Sequence, residues 1–173
     1  GMPMAHVEGP APDIKALVKC FTLGARRDVL QEATYEARAL IDIALRALSP
    51  GINDPNTAVA AIDHMSGALL PLVRSNGVPR VLFITDCRAA LKRPDLGLSH
   101  YLDLIVPSLL PAMRTDTLAT ERLIELLVLL DRVSRQGHQR HAITKWRKVM
   151  ARDVDNHELP ETMVTWLKDK AAE

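Results

Sequence analysis

Aromatic residues make up only 3% of this 173-residue chain, two each of Phe, Tyr and Trp. Strand-rich folds and the stacking platforms of single-stranded nucleic-acid binders both draw on aromatic side chains, so the shortage argues against each. An excess of one charge is also missing. Lys and Arg number 22 against 21 Asp and Glu, and a net charge of +1 gives no whole-molecule field to gather polyanions, so no nucleic-acid partner is expected. There are two cysteines, Cys20 and Cys87, far apart in the chain and with no secretory leader pattern before them. That argues against a disulfide framework and fits reduced thiols in a cytoplasmic protein. Long hydrophobic runs are lacking too: the most apolar window, Leu123 to Leu130, is interrupted by Glu125 and falls well short of the roughly 20 residues of a membrane span. Gly1 ahead of Met2 reads as a residue left by tag removal.

Hydrophobic residues are plentiful at 47%, mostly aliphatic and Ala, and charged residues make up 25%. Such a chain can bury a core, and its length suits a single helical domain over 1–173. Residues 1–10, with Pro3, Gly9 and Pro10, form a loose lead-in. Asp13 is placed to cap a short helix carrying Ile14, Leu17, Val18 and Phe21 up to Gly24. From Arg26 to Leu48, apolar residues recur every three or four positions, predicting an amphipathic helix about 34 Å long. The next helix opens at Pro55, where a missing N–H is harmless, and Pro71 should kink or end it near Asn76-Gly77. The two should pack as an αα-hairpin.

Arg80 to Thr85 reads as a strand, with Ala89 to Lys92 as its partner across Asp86-Cys87-Arg88. A helix follows from Ser99, with a break or kink expected at Pro107 and Pro111. Asp116 or Thr117 caps a helix from Leu118 to Arg135 that is apolar nearly all round, a pattern expected in the centre of a core or under a second subunit. Gly137 should end it. His138 to Asp155 and Pro160 to Ala171 complete the pattern, the last with Met163, Trp166 and Leu167 on one face. The prediction is a mostly α fold, a bundle of about six or seven helices with one small β-hairpin. A homo-oligomer, most simply a symmetric dimer, is expected from the apolar helix.

The densest signal is the corner Ala47-Leu-Ser-Pro-Gly-Ile-Asn-Asp-Pro-Asn-Thr-Ala58, which packs helix stop, turn and helix start together. Arg27, Gln31-Glu32, Tyr35, the run from Leu40 to Pro55, Thr57-Ala58 and Asp63 resemble the signature of a bacterial family of predicted membrane proteins, domain of unknown function 2254. The close part of the likeness covers Gly24 to Met65. It implies a region of soluble type beside membrane-spanning helices that are not seen in this sequence, so the chain is expected to be a soluble fragment or a stand-alone relative. It brings no activity or cofactor. Near the start of the long helix, Arg27-Asp28, Gln31-Glu32 and Tyr35-Glu36 stand where the family tends to Arg-Thr, Gln-Asp and an aromatic residue with Gly.

Gln31, Tyr35, Arg38, Asp42 and Arg46 share one helix face, and Asp42 between two arginines should be ionised and paired. Arg38 and Arg46 are placed to bind an anion, with Asn53, Asp54 and Thr57 completing a site at the next helix start. The structural alternative has Arg46 bonding the corner's carbonyls and Asp54 serving only as a cap. Asp42, Asp54 and Asp63 offer hard-cation oxygens, but the arginines compete for their charge and no metal site is expected. His138 and His141 lack a third ligand. Cys20 reads as a core residue and Cys87 lacks a neighbouring base. The basic run Arg140, Lys145, Arg147, Lys148 and Arg152 fits a solvated face or peripheral contact with a membrane or membrane protein. No catalytic residue and no cofactor is assigned. The two functional readings are a helical module acting by self-assembly or ligand sensing, and a small-molecule or anion-binding domain, possibly hydrolytic, using the Arg46 to Thr57 corner.

Overall fold

The computed structural model describes residues 13–19, 33–74, 81–84, 89–92, 97–156 and 161–172. The 1–10 lead-in, Cys20, Gly24, the stretch from Arg26 to Glu32, Asn76-Gly77, the Asp86 to Arg88 turn with Cys87, and Pro160 lie outside them. Residues 1–32 and 33–173 form two compact units. In the first, helix α1 spans Ile14–Lys19, and the Lys15 backbone N–H donates to Asp13 Oδ1 at 2.9 Å.

The second unit is mostly helical. Its elements are α2 (Ala33–Ala47), α3 (Pro55–Arg74), β1 (Val81–Ile84), β2 (Ala89–Lys92), α4 (Leu98–Met113), α5 (Thr117–Val133), α6 (Gly137–Asp153) and α7 (Glu161–Ala172). A 3-10 turn, Val154–Asn156, follows α6. The two strands are antiparallel, with Val81 opposite Lys92 and Ile84 opposite Ala89.

Helix α5 is the centre of the bundle, packing on α3, α4, α6 and α7. Its Leu123, Leu127 and Leu130 are fully shielded from solvent, and Ile124 and Leu126 nearly so, whereas Leu129 is 39% exposed. The chain's own helices therefore account for the apolar run that raised the prospect of a second subunit. Asp116 caps the helix, its Oδ1 accepting the Ala119 N–H at 2.8 Å. Inside the same turn, the buried Thr120 hydroxyl lies within hydrogen-bond distance of the Met113 and Asp116 carbonyls, so burial leaves it satisfied.

Several expected boundaries need correction. Pro107 and Pro111 do not break α4, whereas α3 runs through Pro71 to Arg74, just short of the expected end at Asn76-Gly77, which lies outside the described residues. All three prolines lie on exposed faces, where water can serve the carbonyls their rings leave without a donor. Gly137 opens α6 instead of closing α5. The stop is Ser134, whose extended backbone turns its N–H onto the Asp131 carbonyl at 3.2 Å. Of the three residues expected on the packed face of α7, Leu167 is buried, but Met163 and Trp166 are each 41% exposed.

Candidate functional site

The corner closes on itself. Asn53 N–H donates to the Ser49 carbonyl at 2.9 Å, Asp54 N–H to Ala47 at 2.8 Å, and the Ser49 hydroxyl to the Arg46 carbonyl at 2.7 Å. Asn53 has a φ of 47°, the left-handed conformation that Asn tolerates better than most residues. The cap of α3 is Asp54. Its Oδ1 accepts the Thr57 N–H at 3.2 Å and its Oδ2 the Thr57 hydroxyl at 2.5 Å. Those two bonds, the hydroxyl first, hold its carboxyl below the usual carboxylate range.

Across from this closed turn, the outer face of α2 is open. Arg38, Asp42 and Arg46 are all exposed, and among the described residues none of their side chains forms an ion pair. This corrects the expectation that Asp42 would pair with its arginines, and Arg46 contributes its carbonyl to the corner, not its guanidinium. Along α2, Tyr35, Ala39, Asp42 and Arg46 form one line, flanked by Arg38 and Ile43. Tyr35 is 40% exposed, Ile43 46% and Ile52, in the corner, 61%.

Asp63 belongs to a different place. Arg122 grips it with two bonds, Nε to Oδ1 at 2.5 Å and Nη2 to Oδ2 at 2.9 Å. Arg122 also donates to Glu125 at 2.9 Å, and Lys170 joins Glu125 at 2.9 Å to Glu121 at 3.0 Å. The chain Asp63, Arg122, Glu125, Lys170, Glu121 thus ties α3, α5 and α7 together. Lys170 and then Arg122 hold the Glu125 carboxyl below its ordinary range, and the carboxylates raise both cations in turn. A shallow cleft of about 120 Å³ lies beside the network, lined by Asp63, Ser66, Arg122, Glu125, Leu126 and Leu129. Small-molecule pockets usually run to roughly 300–1,000 Å³, so this cleft is well below their size, and its Asp63 and Glu125 are both engaged by Arg122.

Asp42, Asp54 and Asp63 therefore do not converge, and among the described residues no group of three His, Cys, Asp or Glu is placed to hold a metal ion. A second network had no sequence signal. Asp103 Oδ1 accepts both Lys145 Nζ and Trp146 Nε1 at 2.8 Å, joining α4 to α6. Burial pushes its carboxyl up, and these donors more than offset it. The i,i+3 spacing of Arg122 and Glu125 was readable, but Asp63, Lys170 and Asp103 find partners more than 40 residues away.

The class so defined is a mostly helical module whose polar clusters serve as braces and whose α2 face is uncommitted. The chain belongs to the family described as predicted membrane protein (DUF2254), whose model matches residues 1–128. Uncharacterized proteins of Mycobacterium bovis and of Mycobacterium tuberculosis strains CDC 1551 and H37Rv are each 40% identical to it over 57 residues. That match covers 33% of this chain and 11% of each relative, so the matched part is about a tenth of their length. No solved structure matches the chain. Among the described residues, no helix is long and apolar enough to cross a membrane.

Proposed function

We propose that this chain is an assembly module of its family, pairing with a second copy through the outer face of α2 and the adjoining corner, with no chemistry of its own. The observation that carries the reading is the set Arg38, Asp42 and Arg46: three charges in the segment that resembles the family signature, exposed and without an ion pair among the described residues. Their pattern is self-complementary. A two-fold axis midway between Asp42 and Arg46 sets each Asp42 opposite the other copy's Arg46, beside exposed Ile43. Sedimentation equilibrium over a hundredfold range of concentration tests it. The parent should associate and Ile43→Asp combined with Arg46→Glu should stay monomeric, while a parent that is monomeric throughout refutes the proposal.

The same unpaired arginines favour a second reading, a sensor for a small anion at the corner. Asp54 weighs against it, since Thr57 keeps that carboxylate ionised where the anion would arrive. Titration with inorganic phosphate, followed by calorimetry in parent and Arg46→Ala protein, separates the two readings.

A further inference from the structure

Helix α6 lies beyond the part of the chain that the family model matches, and its exposed Lys and Arg side chains share its surface with no exposed acid of the helix. His138, His141, Lys145, Lys148 and Arg152 are all exposed. At about 100° per residue they fall within an arc of about 80°, so they form a single ridge about 21 Å long. The one acid of this helix, Asp153, is buried and gripped by Arg114 at 2.8 Å, and thus adds no negative charge to the ridge. Arg147, more than a quarter of a turn away at about 100° per residue, is turned inward to Asp131 at 2.9 Å and to the Ala171 carbonyl at 3.1 Å. Lys145 has Asp103 as a partner, but Lys148 and Arg152 have no ion-pair partner among the described residues.

We infer that this ridge is a docking surface for an anionic phospholipid bilayer, against which α6 lies lengthwise. The argument is charge complementarity and shape. In a chain of net charge +1, with histidine counted neutral, Lys145, Lys148 and Arg152 share one helix edge, while acids sit off it, Asp103 on α4 and Asp155 in the turn after α6. A flat anionic surface can meet these exposed cations together. A polyanion that wraps around the helix, such as a duplex, would run into those flanking acids, and the ridge offers no Phe, Tyr or Trp side chain for a base to stack on. Each Lys or Arg near an anionic leaflet changes the partition about fivefold, so Lys148 and Arg152, whose charges no described acid offsets, give a reversible attachment that salt weakens.

The test is co-sedimentation of the whole chain with vesicles of phosphatidylcholine alone or mixed with phosphatidylglycerol, in 0.1 M salt. The protein should pellet with the mixed vesicles and not with the neutral ones. Lys148→Glu combined with Arg152→Glu should weaken the binding at least about 20-fold. A control with the same charge change elsewhere, Lys15→Glu combined with Arg74→Glu, should weaken it far less, and thermal melts of both variants verify that the bundle is intact. Equal pelleting with neutral vesicles overturns the proposal. So does a ridge variant that binds no worse than the control, and so does a DNA duplex that strips the protein from the vesicles at equal phosphate concentration.

Discussion

Leu127 and Leu129 stand two residues apart in the same apolar run, yet their truncation should have very different consequences. Leu127 is fully shielded, in a helix that packs against four others, while Leu129 keeps 39% of its surface in water. For Leu127→Ala, the lost transfer energy of a buried leucine and the cavity left among α3, α4, α6 and α7 together come to about 3–5 kcal/mol. In a bundle of this size that lowers the thermal midpoint by roughly 6–20 °C. Leu129→Ala opens no closed cavity and should cost about 1 kcal/mol. Urea unfolding with linear extrapolation, run at two protein concentrations tenfold apart, measures both variants. Equal losses for the two, with a midpoint that rises with concentration, would mean that a second chain covers the outer face of α5, and the account of α5 as a helix buried by its own bundle would fail.

The ion network makes a prediction with a definite sign. Glu125 has a folded-state pKa below its ordinary value of 4.5, so its contribution is complete above that pH and disappears as the pH falls through the lower folded value. Stability should therefore fall below about pH 4.5, and Glu125→Gln should flatten that fall in acid-titrated thermal melts; an unchanged slope would exclude Glu125 as a source. Trp146→Phe keeps the buried ring but removes the Nε1 donor to Asp103, while Lys145 remains bound there. A loss of about 1 kcal/mol is expected in denaturant titration, and none at all would mean that water replaces the donor without cost.

The helices were legible because burial follows periodicity. The apolar stripes of α2, α3 and α5 point inward as their spacing requires, and Asp13, Asp54 and Asp116 were readable as caps because each bond closes within three residues. Proline misled in α4 because its rule concerns a lost bond, and the rule weakens on exposed faces such as those of Pro107 and Pro111. The candidate site separated along the same line. Asp54 found its partner locally in Thr57, which sequence can show, and Asp63 found its partner 59 residues away in Arg122, which it cannot. Asp42 had two arginines within one turn and paired with neither, because an exposed i,i+4 pair contributes only about 0.2–0.5 kcal/mol and solvation of long side chains competes with it. Spacing on a helix face thus identifies charges that can meet, and only the packed structure identifies charges with a reason to. With Asp54 and Asp63 accounted for by the fold, Arg38, Asp42 and Arg46 remain as the part of the signature region whose charges find no ion pair among the described residues.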